Sequence, residues 1–384
     1  MTNDNSKIIK RIIIAAVNAL CLIAFFICLG ISASIKAPLR SQQAAAAWAG
    51  QSGERFSQVS AFFHAPSTFD MDGVMRLRSE LEKSIAAASL DVTPDRVLYT
   101  DAWSAKTELS VMSQRSNPTA IKAIAVGGDF FLFHPLKLRD GNYLSPNDIM
   151  KDRVVIDEEL AWRLFGAVKV SGFDIIINNM PFVVAGVVSR ETDFASSAAY
   201  KKFAGEESYA FGAGLFMSYD ALLDMTGSNA KIENYEIVLP DPITGFALNA
   251  LKDNLKSPEA LIIENTGRFS FGNITRLIGS YGERSQRNET LIFPYWENAA
   301  RYAEDWLALL LIFSFIFIAF PIVCSVIYFI ILIRFTVKLI KIAIKNFIKK
   351  KDKKDYEKYI LEHGEDGESY TLNSIIREVN DEIY

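Results

Sequence analysis

Few residues in this 384-residue chain have the chemistry of catalysis or metal binding, and none stands at a spacing that such sites require. The three histidines, His64, His134 and His363, are far apart in the sequence. Neither H-E-x-x-H nor C-x-x-C occurs, so a zinc site built from histidine and cysteine is not expected. The nucleophile motif G-x-S-x-G is also absent from the sequence.

Phosphate binding and acid–base chemistry also lack a motif. The P-loop pattern G-x-x-x-x-G-K-[ST] does not occur, and the glycine-bearing stretch 211–214 lacks the third glycine of a dinucleotide fingerprint. The acidic pairs Glu158-Glu159 and Glu206-Glu207 are interpreted as solvated surface, because adjacent side chains point in different directions. We therefore predict that the chain is not an enzyme on its own, with no cofactor and no nucleic-acid partner.

Two long apolar stretches dominate the chain and predict that it is a membrane protein. Residues 12–33 follow a basic flank and are predicted as a first transmembrane helix, since about twenty residues at ~1.5 Å each cross a core of about 30 Å. A cleaved signal peptide is the alternative. An uncleaved anchor is favoured, because a signal peptide's apolar region usually has only about 7–15 residues.

The second apolar stretch, residues 305–333, is predicted as another transmembrane helix. From Trp306 onwards it is longer than the bilayer core, so we expect tilt or projection, with Trp306 near the outer interface. Pro321 lies mid-span and predicts a kink. Because seven basic residues follow between Arg334 and Lys351, both termini are predicted to be cytoplasmic and residues 34–304 extracytoplasmic.

The cytoplasmic stretch 334–384 begins as a basic amphipathic segment. Lys338, Lys341 and Lys345 recur at helical spacing, with apolar residues over much of the remaining surface. This pattern predicts a helix on anionic lipid at the membrane surface, or one that docks on a cytoplasmic ATPase, and the two roles are compatible. A break is expected at Gly364–Gly367 and a short acidic helix over Leu372–Ile383.

The region between the apolar stretches is predicted as mixed α and β. This region contains no cysteine, because Cys21, Cys28 and Cys324 all lie in the apolar segments, and a disulfide framework is therefore excluded. Periodicity predicts helices and strands in two β-α-β runs. The strands are expected at 56–63, 97–112, 120–126, 236–239 and 260–264, and the helices at 70–90 and 244–255.

The most informative stretch lies between these runs, from Gly127 to Val188. It begins with a small-residue turn into aromatic residues, continues as a strand and a helix ending at Phe165-Gly166, and closes with a hairpin around Asn178-Asn179. The aromatic residues of the turn are Phe130, Phe131 and Phe133.

This order of elements resembles the extracytoplasmic core domain of MacB-type ABC permeases, the MacB/FtsX/LolE class. The matching motifs in this sequence are G-D-F-F at 128–131, R-D-G at 139–141, V-V-I-D-E-E-L-A-W-R-L-F-G at 154–166 and V-V-A-G-V-V at 183–188. The resemblance implies a porter-like α+β domain of two β-α-β halves with an inserted, mostly β subdomain at about 127–235, between transmembrane helices. Phe130, Phe131 and Phe165 are then expected to hold the outer fold.

The resemblance also implies a location in a bacterial inner membrane, and a function. We expect a permease-like subunit in which a cytoplasmic ABC ATPase drives or senses the outer domain through the helix after Glu297, paired with itself or with another permease subunit. MacB-type permeases carry three helices after this domain, whereas one apolar stretch follows it here. A two-span sensor or scaffold for an envelope partner, and an assembly of several such chains, therefore remain alternatives. Trp306 and Pro321 are expected to set the pitch of the second helix, and Lys338, Lys341 and Lys345 its cytoplasmic contact.

Two polar stretches are less distinctive. Thr192–Gly214 is rich in alanine, serine, glycine and lysine, and predicts a mobile loop. Gly267–Glu289 carries Arg268, Arg276, Arg284 and Arg287. These arginines are interpreted as solvated surface, with an anionic ligand or a lipid headgroup as the alternative partner.

Overall fold

The fold is seen in a computed structural model that describes residues 2–64, 67–88, 98–114, 116–202, 214–227, 230–257, 260–280 and 293–363. The chain forms two compact units, Phe25–Ser314 and a second unit of Met1–Ala24 with Phe315–Tyr384. The first and last long helices each contribute residues to both units.

The unit Phe25–Ser314 is built on one ten-stranded mixed sheet in the order β10-β1-β9-β2-β3-β8-β5-β7-β4, with β6 paired to β2 and β7. The strands are β1 (Phe56–Phe62), β2 (Thr100–Met112), β3 (Thr119–Gly128), β4 (Lys137–Gly141), β5 (Arg153–Asp157), β6 (Asp174–Ile177), β7 (Met180–Ser189), β8 (Leu215–Ser218), β9 (Asn234–Pro240) and β10 (Leu261–Glu264).

Helices precede, follow and connect these strands. They are α1 (Thr2–Lys36), α2 (Ala44–Ala49), α3 (Met71–Ala87), α4 (Phe130–Phe133), α5 (Glu158–Phe165), α6 (Phe194–Lys202), α7 (Tyr219–Thr226), α8 (Phe246–Asn254), α9 (Phe271–Gly279) and α10 (Tyr295–His363). A short 3-10 turn, Arg40–Gln42, lies between α1 and α2.

The sheet separates two hydrophobic clusters, because successive residues of a strand point to opposite faces. In β3, Ala123 and Ala125 belong to one cluster, while Ile124 and Val126 belong to the other. The larger cluster includes side chains of α3, α5, α7 and α8. The smaller cluster includes side chains of α2, α4 and the first turn of α10. The second face is therefore where the last helix joins the sheet.

The predicted elements with strong local signals are confirmed. All five strands and both helices expected in the two β-α-β runs are present, with ends shifted by up to three residues. Asn178 and Asn179 both have positive φ, at 45° and 67°, as a two-residue hairpin turn that follows the strand twist requires. Helix α5 is capped by the Asp157 carboxylate and ends at Gly166 in the left-handed conformation.

Two expectations about irregular segments were wrong. The stretch predicted as a mobile loop forms helix α6 over Phe194–Lys202, where the Asp193 carboxylate accepts hydrogen bonds from the Ala195 and Ser196 amides. Residues 203–213 lie outside the described residues. The polar stretch after Gly267 forms helix α9, capped by Ser270, while residues 281–292 are not described.

The second unit consists of the beginning of α1 and most of α10. Both helices are long and apolar enough to cross a membrane, and their spans include the two predicted stretches. Helix α10 is assigned without interruption through Pro321 and on to His363, so the basic segment continues the spanning helix. Side chains from Phe335 to Phe347 are exposed. The predicted glycine break and acidic helix lie outside the described residues, and the proposed domain boundaries stay a prediction.

Candidate coupling site at the start of the last helix

An aromatic cluster fixes the first turn of α10 on the second face of the sheet. Trp296 is fully buried and contacts the Phe130 ring at 5.7 Å and the His134 ring at 4.1 Å between centroids. Phe130 in turn packs edge-on against Phe131 at 5.4 Å. The aromatic turn singled out in the sequence therefore forms the surface that receives the last helix.

A buried arginine binds the next two turns of α10. The Arg268 guanidinium donates to both carboxylate oxygens of Glu297, at 2.6 and 2.8 Å, and to Glu304 at 2.5 Å. Arg268 is 6% exposed, and Glu297 is fully buried. Arg301, one turn along α10, donates a second charged hydrogen bond to Glu297 at 2.7 Å. Two basic and two acidic side chains thus form one compact ion cluster.

The pKa shifts within this cluster favour the charged forms. Burial opposes ionisation of Arg268, but the carboxylates of Glu297 and Glu304 outweigh it and raise its pKa. Burial likewise opposes the charged form of Glu297, yet Arg268 and Arg301 hold the pKa of this carboxyl below its usual value. Arg268 and Glu297 therefore favour their charged forms, although both lie away from water.

A chain of buried polar side chains continues from this cluster into the sheet. The Gln42 side-chain oxygen accepts hydrogen bonds from Arg268 at 3.2 Å and from the Asn265 amide at 2.8 Å. Ser60 Oγ lies 2.8 Å from both Asn265 Oδ1 and Glu236 Oε1. Glu236 then meets His134 Nε2 in a very short contact. We call this set, from His134 through Glu236, Ser60, Asn265 and Gln42 to Arg268, Glu297 and Glu304, the polar chain.

The polar chain also holds the segment that follows α1. Gln58, buried in β1, accepts a hydrogen bond from the Ala44 amide at 3.0 Å and donates to the Ser41 carbonyl at 2.8 Å. Gln42, which follows Ser41 in the chain, accepts the hydrogen bond from Arg268. The outer ends of both long helices are therefore connected to the same part of the sheet by hydrogen bonds.

The structure separates the residues that the sequence singled out. Phe130 and Phe131 belong to this site, whereas Phe165 packs on the opposite face of the sheet, and Gly166 ends α5 there. Trp306 lies two turns beyond Glu297 on α10. Pro321, Lys338, Lys341 and Lys345 lie further along the same helix, in the second unit.

Sequence reasoning missed most of the polar chain. Arg268 is buried and ion-paired, so its interpretation as solvated surface was wrong, while Arg276 is exposed as expected. Arg284 and Arg287 lie outside the described residues. The exposed Glu159 forms ion pairs with Arg163 and Arg190, in agreement with its assignment to the surface. Among the described residues, no three His, Cys, Asp or Glu side chains are grouped to hold a metal ion.

Next to the polar chain, Glu191 supplies a pH-dependent charge. Burial, reinforced by the Asp193 carboxylate and opposed by His134, raises the pKa of Glu191 to about 7. An unfolded glutamate has a pKa of about 4.3, so the folded state retains the proton between these values. The stability that this group contributes is complete below about pH 4.3 and is lost as the pH rises through about 7.

We therefore expect Glu191→Gln to weaken the pH dependence of stability. Between pH 5 and pH 8, the melting temperature of the full-length variant should fall less than that of the wild type, because residue 191 can no longer ionise. Glu108→Gln, an exposed site on β2, is the matched control and should follow the wild type. Identical pH profiles for Glu191→Gln and the wild type would contradict this assignment of the proton.

Comparison with known protein families identifies the outer region. The model of the MacB-like periplasmic core domain matches residues 12–250, which is more than half of the chain. No match was found among curated proteins.

Solved structures with similar regions are distant in sequence. The periplasmic region of MacB from Actinobacillus actinomycetemcomitans is 17% identical and aligns over 58% of this chain and 92% of its own, with a TM-score of 0.38. The extracellular domain of the noncanonic ABC-type transporter YknZ from Gram-positive bacteria is 16% identical over 54% and 98%, with a TM-score of 0.34. A domain of a permease protein from Porphyromonas gingivalis is 10% identical over 55% and 88%, with a TM-score of 0.30.

Proposed function

Because the chain belongs to the family of MacB-like periplasmic core domain proteins, we propose that it couples a cytoplasmic ABC ATPase to its extracytoplasmic domain. Membership makes it an ABC-type permease-like membrane protein, a component of a transporter. Permeases of this family generally work with a separate ATPase subunit. In our proposal both termini are cytoplasmic, and the ATPase acts on the cytoplasmic part of α10.

The ion cluster at the start of α10 is the observation that carries this proposal. A helix that is to pull on a domain must be held to it by contacts that are costly to separate. Breaking a buried ion pair costs about 3–5 kcal/mol, because the remaining charge is left without a partner. Arg268 holds α10 in this way at two positions about two turns apart, Glu297 and Glu304.

The continuity of α10 supports the same mechanism. The helix runs for 69 residues from Tyr295 to His363, with its hydrogen-bonded turns assigned throughout. Helical turns propagate displacement because each turn is fixed to the next by backbone hydrogen bonds. We infer that a movement of the cytoplasmic end reaches Glu297 and Arg268, and through Gln42 the segment after α1.

The lysines beyond the membrane span are the proposed contact with the ATPase. Lys338, Lys341 and Lys345 are exposed and fall on one face of α10, as their spacings of three and four residues require. Anionic lipid can bind the same face at the membrane surface. A second copy or another permease subunit is proposed to complete the membrane assembly.

Affinity purification of the tagged full-length protein tests the proposal. We expect a nucleotide-binding subunit in stoichiometric amount by mass spectrometry, together with ATP hydrolysis in the eluate. Changing Lys338, Lys341 and Lys345 to Glu should remove both. Changing Lys350, Lys353 and Lys354 to Glu alters the charge equally but lies off the lysine face, so this control should retain the subunit.

Recovery of the protein alone, or with envelope proteins and no hydrolysis, would overturn the proposal. That result would favour a two-span sensor or scaffold for an envelope partner. Loss of the subunit in both triple variants would show that net charge, rather than the lysine face, governs the interaction.

A further inference from the structure

An exposed aromatic cluster lies where α10 leaves the outer domain. The Phe194 ring, at the start of α6, contacts the rings of Tyr302 at 5.9 Å and Trp306 at 5.6 Å between centroids. Phe194 nevertheless remains 51% exposed, and Trp306 37%. Two segments more than a hundred residues apart in sequence thus present one aromatic surface, which the outer domain leaves half uncovered.

The position of this cluster along α10 coincides with a change in the helix. Glu304 and Asp305 are the last charged residues of α10 before Arg334, although the helix still has buried residues beyond Trp306, at Leu307, Ala308 and Leu310. Tyr302 and Trp306 are one turn apart, or about 6 Å along the axis. The cluster therefore lies at the boundary between the outer domain and the apolar span.

The exposed face of Trp306 continues along the span. Trp306, Leu309 and Phe313 recur at spacings of three and four residues, so they lie on one side of the helix, and all three are exposed. A stripe of this kind in a membrane helix faces lipid. Phe194 packs at its outer end, at the level where tryptophan and tyrosine are enriched in membrane proteins.

We propose that Phe194 at the start of α6 lies in the headgroup region of the outer bilayer surface, making α6 a membrane-contacting element of the outer domain. The occupant of this surface is lipid, because the surface is continuous with the lipid-facing stripe of α10. The inference rests on the membrane topology of the proposed function. It adds a second contact with the bilayer, through a helix that does not cross it.

The proposed membrane contact at Phe194 lies close in sequence to a residue that interacts with the polar chain. Asp193 accepts hydrogen bonds from the first amides of α6, and Glu191, on whose pKa His134 acts, precedes Asp193 by two residues. Phe194 therefore lies three residues from a side chain that interacts with the polar chain.

Spin-label accessibility tests the placement in the full-length protein. In a chain with Cys21, Cys28 and Cys324 changed to Ala, a nitroxide is attached to Phe194→Cys, Phe173→Cys or Phe313→Cys. Each protein is placed in nanodiscs of phosphatidylethanolamine and phosphatidylglycerol. Collision with oxygen, which partitions into lipid, is compared with collision with a water-soluble nickel chelate. Phe173 is the matched control, because it is 50% exposed on the outer domain.

We expect the oxygen-to-nickel ratio at position 194 to exceed that at 173 several-fold and to lie below that at 313. Equal ratios at 194 and 173, with a high ratio at 313, would overturn this inference alone. A ratio at 313 as low as that at 173 would overturn the membrane span as well. If Phe194→Cys does not fold, Thr192→Cys, an exposed neighbour, replaces it, and the same order is expected.

Discussion

Arg268→Ala is expected to lower the stability of the outer domain by about 3–5 kcal/mol, because it removes the guanidinium that binds the buried carboxylates of Glu297 and Glu304. Arg301 still pairs with Glu297, so the loss falls most heavily on Glu304. For a domain of this size the expected fall in melting temperature is on the order of 10 °C. Thermal unfolding of the full-length protein, followed by tryptophan fluorescence, measures it.

Two further variants separate charge from simple truncation. Arg276→Ala removes an exposed arginine of α9 and should leave the melting temperature within about 1 °C, since surface substitutions change stability by less than about 0.5 kcal/mol. Adding Glu297→Gln and Glu304→Gln to Arg268→Ala removes the two carboxylate charges that Arg268 had bound and should restore part of the loss. An Arg268→Ala protein as stable as the wild type would show that the ion cluster does not hold α10.

The variant with the next largest expected effect is Phe131→Ala. Phe131 is 9% exposed, stacks on Tyr143 at 4.8 Å, and meets Phe130 and Phe216 edge-on. Truncation removes these contacts and leaves a cavity beneath α4, so we expect a loss of about 3–5 kcal/mol. The melting temperature of the full-length protein reports this loss.

Phe173→Ala is the matched control for this prediction. Its ring also packs edge-on against another phenylalanine, Phe165, but half of it is exposed, so its loss should be much smaller. Equal melting temperatures for Phe131→Ala and the wild type would exclude the core role of the aromatic turn. A loss in Phe131→Ala that Phe173→Ala does not show would support the core role of the aromatic turn.

Both predictions concern the attachment of α10 to the outer domain, but they test different interactions. The aromatic cluster stabilises the first turn of α10 by apolar burial, which has no preferred direction. The ion cluster fixes the two following turns through directional, charged hydrogen bonds. In the proposed mechanism, Arg268→Ala should therefore uncouple ATP hydrolysis from the outer domain at temperatures where the domain remains folded.

Local patterns accounted for much of the fold. The Asn178-Asn179 turn, the Asp157 and Gly166 caps of α5 and the alternating strands all depend on residues within a few positions of each other. The order of the motifs from Gly127 to Val188 was sufficient to indicate the MacB-like domain, and the family match confirms that identification. These signals are readable because their physical causes are local.

Only the tertiary structure decided that the polar chain is buried. In β1 the polar residues Gln58 and Ser60 alternate with the apolar Val59 and Ala61, as in a strand with one wet face. Here that face is covered by α2 and the start of α10, and both polar side chains are buried. Periodicity reveals that a strand has two faces, but water or another element can cover the polar one.

The sequence by itself determined two apolar stretches, a basic flank after the second of them and the motifs of one outer domain. It did not determine the partners of Arg268, because Gln42 is 226 residues away in the chain and Glu297 is 29. An arginine in a glycine-rich polar stretch has the same local sequence whether it meets water or a carboxylate. Its burial is decided when α10 packs on the sheet and brings Glu297 and Glu304 to the guanidinium.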